Sequence, residues 1–115
     1  MRANAKWLIL PSLVLLAACA GMQRKAQERD TAQKWMQTAE TDIQTARQAG
    51  AETYAPDELD EAVWGLKAAK EKFQIKDYSS ALSSAQSASS AAREAKSKSE
   101  GAKRKETERK ARKKK

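Results

Sequence analysis

The chain has 115 residues, a net charge of +8, one cysteine and no histidine, so it can form one small domain at most and no internal disulfide. Without histidine, a metal-ligand cluster or a glycine-rich phosphate loop, the sequence disfavours catalysis. We expect no enzyme activity, no cofactor and no metal site.

The first segment contains the three parts of a secretory signal peptide in the required order. Arg2 and Lys6 supply positive charge, residues 7–18 form a short apolar core, and small residues precede Cys19. A membrane-spanning helix needs about 20 apolar residues, and this core stops short of that length. The segment therefore predicts a leader over residues 1–18 rather than a membrane span.

Leu16, Ala17, Ala18 and Cys19 resemble the lipobox of bacterial lipoproteins. The resemblance implies that Cys19 becomes the mature N-terminus and carries long acyl chains such as palmitate on its thiol and amine. Each buried methylene contributes ~0.8 kcal/mol, so two or three such chains hold a protein on a bilayer. Ala20 lacks the aspartate that marks inner-membrane retention in that family. The resemblance thus implies the bacterial cell envelope, at the outer membrane and facing the periplasm, whereas the alternative for Cys19 is a small buried apolar side chain.

The chain beyond Cys19 predicts an all-α fold with three amphipathic helices, at roughly 23–49, 57–75 and 78–100. Apolar residues recur with spacings of three and four, which is the period of one helix face. The three stripes are Ala32, Met36, Ala39, Ile43 and Ala46; Leu59, Ala62, Val63, Leu66, Ala69 and Phe73; and Tyr78, Ala81, Ala85, Ala88, Ala92 and Ala95.

The helix boundaries are marked by capping residues. Gly50 predicts the end of the first helix, Pro56 lies in the first turn of the second, and Asp77 can cap the third. Short connections favour antiparallel neighbours. Two architectures stay open, an antiparallel helical hairpin of the second and third helices or a three-helix bundle.

The second helix opens with a dense acidic cluster. These side chains match the positive end of the helix dipole, so we expect them to be structural rather than catalytic. The cluster consists of Asp57, Glu58, Asp60 and Glu61.

Positive charge is concentrated in residues 101–115, which contain nine basic and two acidic side chains, whereas residues 19–100 contain twelve and thirteen. We therefore divide the chain into the leader, a lipidated tether at 19–22, an alanine-rich helical domain at 23–100 and a basic tail at 101–115. The basic residues of the tail are Lys103, Arg104, Lys105, Arg109, Lys110, Arg112, Lys113, Lys114 and Lys115.

The basic tail has two interpretations. It is either a solvated terminus, disordered or extending the last helix, or a site for an anionic lipid, lipopolysaccharide or peptidoglycan. Nucleic acid is disfavoured as a partner, because the tail has no aromatic residue to stack on bases and export removes the protein from nucleic acid.

A second resemblance covers about half of the chain. The residues that carry it are Ala49, Gly50, Ala51, Tyr54, Ala55, Pro56, Leu59, Ala62, Leu66, Ala69, Asp77, Tyr78, Ala81, Ala85 and Ala88. They resemble the domain of unknown function 4398, which implies a small helical envelope lipoprotein and carries no activity. Residues 61–92 also resemble a single degenerate tetratricopeptide helix pair, although stable stacking needs about three repeats.

A third, weaker resemblance is to the murein lipoproteins, which are linked to peptidoglycan through a C-terminal lysine. It implies such a role for Lys115, although the chain lacks the short repeats of those proteins.

Trp64 is the main candidate for partner binding within the helices. It lies off the apolar stripe, on a face with Asp60, Lys67 and Glu71. We expect it to cover the first helix, against Trp35, because the second of three helices should contact both neighbours. The alternative is an exposed interface anchor.

The third helix is rich in serine. We expect these serines to form a neutral polar face, with close contact to a partner helix as the alternative. They are Ser79, Ser80, Ser83, Ser84, Ser87, Ser89 and Ser90.

These features predict a non-enzymatic, lipid-anchored envelope protein with a structural or adaptor role through helical packing. The alternative function is binding of an anionic envelope polymer or membrane surface through the tail. An envelope protein partner fits the first function, and homo-oligomerisation stays open.

Overall fold

The computed structural model describes the backbone of residues 3–114 and the side chains of residues 21–114. Within these limits the fold is all-α, as predicted. Its helices are α1 (Ala3–Gln48), α2 (Ala51–Tyr54), α3 (Pro56–Gln74) and α4 (Tyr78–Lys113).

Helix α1 is longer than the sequence predicted. It begins at Ala3 rather than near residue 23 and continues through the predicted leader and the predicted tether, because alanine and leucine are strong helix formers and are abundant in this stretch. In the part of the chain that the structure describes, no helix is both long and apolar enough to cross a bilayer. The side chain of Cys19 lies outside the described residues, so its acylation stays a prediction.

The turn between α1 and α3 follows the predicted caps. Gly50 has a left-handed backbone, with φ of 93°, and its amide donates to the Arg47 carbonyl at 2.9 Å. Pro56 is the first residue of α3, where its missing N–H costs nothing. The single turn of α2 between them was not predicted.

The turn between α3 and α4 is a Schellman motif. The amide of Lys76 donates to the Phe73 carbonyl and that of Asp77 to the Lys72 carbonyl, both at 3.0 Å. Asp77 caps α4 as predicted, because its side chain accepts from the Ser80 amide at 3.3 Å. Helix α4 then continues through the basic tail to Lys113, which favours the helical alternative over a disordered one.

The helices form a three-helix bundle rather than an isolated hairpin. Helix α4 packs along both α1 and α3, whereas α1 and α3 touch each other over a shorter length. The central helix is therefore α4. The sequence had predicted α3 in this position, and that prediction was wrong. Because the chain reverses twice, α1 and α4 run parallel, and the molecule extends over 99 × 23 × 14 Å.

The core is built mainly from alanine. Of the sixteen buried apolar residues within 21–114, thirteen are alanines and the others are Ile43, Leu59 and Leu66. The predicted stripes supply most of this core, although Val63 is 37% exposed and does not widen it. Small side chains let the three helices approach closely, and they bury little area per residue.

Candidate binding surfaces

Trp64 lies on the outer surface of α3 with 65% of its area exposed. The prediction that it covers α1 against Trp35 was wrong, because α1 packs mainly against α4 and leaves the outer face of α3 open. Lys67 Nζ lies 4.8 Å from the centroid of the Trp64 ring. A cation–π contact of this kind at an exposed site contributes about 0.5–1 kcal/mol.

A shallow groove runs between α3 and α4 beside Trp64, with a volume of about 410 Å³. We name it the serine groove. Its lining consists of Glu61, Trp64, Gly65, Ser83, Ser84, Ser87 and Ala88. A second concavity of about 390 Å³ continues it along α4 as far as Glu94.

The floor of the serine groove depends on Gly65. A Cβ placed on Gly65 would lie 3.1 Å from the Cβ and 3.3 Å from the Cα of Ala88, which is closer than side-chain carbons normally pack. The missing side chain therefore lets α3 approach the backbone of α4, and it keeps the groove wide and shallow.

Ser89 is the serine that departs from the predicted polar face. It is 1% exposed, and its hydroxyl donates to an Asp42 carboxylate oxygen of α1. The same oxygen accepts from Arg93 Nε at 3.1 Å. The contacts among these three residues connect α4 to α1. The sequence did not predict them, because a local pattern does not indicate a contact between positions so distant in the chain.

The basic tail is an exposed helix. Since successive residues of an α-helix point about 100° apart, its cations cover all sides of α4 rather than one face. The described members are Lys103, Arg104, Lys105, Arg109, Lys110, Arg112, Lys113 and Lys114. Lys115 lies outside the described residues.

Glu106, near the start of the basic tail, has polar contacts with two neighbouring side chains. Tyr54 Oη donates to Glu106 Oε2 at 2.6 Å, and Lys110 Nζ lies 3.4 Å from Oε1. The hydrogen bond from Tyr54, with that from Lys110, lowers the pKa of Glu106, and the same bond to Glu106 raises the pKa of Tyr54. The pair fixes α2 against α4 where the tail leaves the bundle.

Two members of the acidic cluster, Asp57 and Glu58, lie in the first turn of α3, and Glu58 also contacts another helix. Glu58 is half-buried and pairs with Lys98 of α4. The hydrogen bond from Lys98 lowers the pKa of Glu58 and in turn raises the pKa of Lys98. Asp57, Asp60 and Glu61 are exposed. Across the described residues, no three carboxylate or thiol side chains gather into a metal-binding group.

Comparison with known proteins identifies a family. No curated protein and no solved structure matches the chain. A family model described as a domain of unknown function, DUF4398, matches residues 34–114. The match covers the bundle from the second half of α1 to the basic tail. It therefore begins before, and ends after, the residues that carried the resemblance in the sequence. The chain therefore belongs to the DUF4398 family.

Proposed function

We propose that the protein is a non-enzymatic, lipid-anchored envelope protein that acts as an adaptor, with Cys19 as its anchor and the serine groove as its docking site. The partner is a helix of another envelope protein. The lipobox sequence supports the anchor, and the geometry around Trp64 supports the docking site.

The exposure of Trp64 is the observation that carries this proposal. A tryptophan that is 65% exposed leaves a large apolar area in water, and such residues are the commonest energetic anchors of protein interfaces. The neighbouring serines and Ala88 have small side chains and leave a shallow surface beside the ring. A helix can therefore approach the groove closely.

The charges of the groove indicate the chemistry of the partner. Glu61 lines both concavities and Glu94 lines the second, and both side chains are exposed. A helix with small residues facing the groove and basic residues beside them complements this surface.

Site-specific photo-crosslinking in native envelopes tests the docking site. A photoreactive residue in place of Ser87 should form a crosslink to one defined protein, and Trp64→Ala should abolish the crosslink. Val63→Ala is the matched control, since Val63 is the adjacent exposed apolar residue. A chain shortened by residues 101–115 should still crosslink at high salt. A crosslink that survives Trp64→Ala would contradict the proposal.

The second candidate function is binding of an anionic envelope polymer by the basic tail. One specific observation favours it: α1 and α4 run parallel, so the tail leaves the bundle at the end opposite to Cys19. From Tyr78 to Lys113, α4 is about 54 Å long at ~1.5 Å per residue. That distance is several times the Debye length of ~8 Å, so an upright bundle places the tail beyond the anchoring membrane and near peptidoglycan or other polymers.

Salt dependence distinguishes the two functions. Binding of purified cell wall by the tail should fall steeply as salt rises, and it should be lost when residues 101–115 are removed. Replacement of Arg109 and Lys110 by glutamine should weaken it in part, whereas Trp64→Ala should not change it. Peptides from digested sacculi that contain Lys115 without a peptidoglycan adduct would exclude a covalent link.

A further inference from the structure

The end of the bundle at the α3–α4 turn carries a second exposed apolar surface. Met22 is 73% exposed and Ile75 is 69% exposed. These are two of the four large apolar side chains on the surface of the described chain. The other two, Val63 and Trp64, lie along the side of α3.

A groove joins Met22 to this turn. It has a volume of about 520 Å³, and its lining includes Met22, Lys25, Glu28 and Arg29 of α1 with Lys76 and Tyr78. Tyr78 is held in place by an edge-to-face contact with Phe73, at a centroid distance of 5.2 Å. The turn and the first described side chains of α1 therefore form one surface, which we name the turn end.

The turn end lies next to Cys19 along the chain. Both Cys19 and Met22 belong to α1, and three residues of helix span about 5 Å. Lys25, six residues after Cys19, lies about 9 Å further along the same helix, and Lys76 lines the same groove as Lys25. An acylated Cys19 would thus bring the turn end to the headgroup layer, which is roughly 5–7 Å thick on each side of a bilayer.

The charge of the turn end is positive. Lys25, Arg29 and Lys76 line the groove with one acid, Glu28. Arg29 also lies 3.7 Å from Asp30, in an exposed pair of the kind that contributes little. Within residues 21–114, Lys25 and Lys76 form no ion pair.

The backbone of Lys76 gives independent support. Lys76 has φ of 64° and is the one non-glycine residue with positive φ among the described residues. Glycine fills this position of a Schellman motif with less strain. Strained positions of this kind are often functional, and here the strained residue places a cation at the tip of the bundle.

We propose that the turn end docks on an anionic phospholipid surface. Met22 and Ile75 enter the interface, and Lys25, Arg29 and Lys76 contact lipid phosphates. This inference rests on the proposed anchoring through Cys19. Docking holds the bundle upright, so that the serine groove faces sideways and the basic tail points away from the bilayer.

Amide hydrogen exchange of the lipidated protein in vesicles tests the inference. In vesicles of phosphatidylglycerol and phosphatidylethanolamine, the amides of residues 75–77 should exchange about a hundredfold more slowly than in phosphatidylcholine vesicles, because each of the three nearby cations contributes ~1 kcal/mol. The amides of residues 103–110, in the tail, should exchange equally in both. Equal slowing at both ends would mean that the bundle lies flat, and no slowing at the turn would mean that it does not dock; either result overturns the inference.

Lys76→Gly is the decisive variant, because it removes the charge and relieves the backbone strain. It should make the fold more stable and yet reduce the slowing at the turn about fivefold, which corresponds to ~1 kcal/mol for one cation. Lys105→Ala, which removes one exposed cation from the tail, is the matched control and should change nothing at the turn. Unchanged protection in Lys76→Gly would contradict a charge-dependent contact.

The mass of the same purified protein separates this inference from the proposed function. Acyl chains on Cys19 without protection at the turn would overturn the docking alone. An unacylated Cys19 would overturn the anchoring and, with it, the docking that rests on it.

Discussion

The carboxylate of Asp42 on α1 accepts a hydrogen bond from the buried hydroxyl of Ser89 on α4. Alanines can slide past one another at little cost, whereas this bond fits one alignment of the two helices only. Arg93, one turn further along α4, holds the same carboxylate oxygen. The contact therefore sets the axial register of α1 against the central helix.

We predict that Asp42→Ala destabilises the bundle by about 1–3 kcal/mol, because it leaves the Ser89 hydroxyl buried without its acceptor. Ser89→Ala should cost less, since a methyl group suits the buried position and Asp42 keeps Arg93. Urea denaturation measures both. A smaller loss in Asp42→Ala than in Ser89→Ala would contradict this account of the register.

The ion pair between Glu58 and Lys98 predicts a dependence of stability on pH. The pKa of Glu58 lies below its ordinary value of 4.5, so its contribution is present above that value and is lost as the pH falls through the folded pKa. The pKa of Lys98 lies above its ordinary value of 10.5, so its contribution is present below that value and is lost as the pH rises through the folded pKa.

Lys98→Met should therefore lower the thermal midpoint of unfolding near neutral pH. As the pH falls from about 5 to about 3, the midpoint should then fall less in this variant than in the unchanged protein. Lys96→Met is the control, since Lys96 pairs with Glu100 on the surface within one helix. An unchanged acid sensitivity in Lys98→Met would show that other carboxylates dominate.

Two helical glycines should respond in opposite directions to substitution. Gly101 has open space where a Cβ would lie, so Gly101→Ala should stabilise α4 by ~1 kcal/mol. Gly65 faces the backbone of Ala88, so Gly65→Leu should push α3 from α4 and cost about 1–3 kcal/mol. Thermal unfolding followed by circular dichroism measures both, and a stabilised Gly65→Leu would disprove the close approach.

Trp64→Ala should leave the fold intact, with a change in unfolding free energy within about 0.5 kcal/mol, as is usual at exposed positions. Leu66→Ala, two residues away in the core, should cost about 2–5 kcal/mol. The comparison checks that loss of crosslinking in Trp64→Ala reflects a lost interface. A large destabilisation by Trp64→Ala would instead assign the side chain to the fold.

Local signals predicted the fold well. Gly50, Pro56 and Asp77 act through their own backbone or side chain at a helix end, so the sequence places the helix boundaries nearby. The alanine stripes follow from the helix period alone and identify the buried faces. The predicted start of α1 near residue 23 was wrong because helix propensity stays high on both sides of Cys19.

Local sequence patterns did not predict how the helices are arranged around the core. The order of the helices around the core depends on which pair of stripes fits best, and small alanine stripes of similar width do not distinguish the pairs. The exposure of Trp64 follows from that choice, since a central α3 would have covered it. The partners of Ser89 and Glu58 likewise lie on another helix, and only the assembled bundle brings them together.

The core of the described bundle, with thirteen alanines, one isoleucine and two leucines, also shapes the response to temperature. The heat capacity of unfolding grows with the apolar area exposed, by ~0.45 cal/mol/K for each Å², and alanine exposes little. The curve of unfolding free energy against temperature should therefore be unusually flat, with cold and heat denaturation far apart.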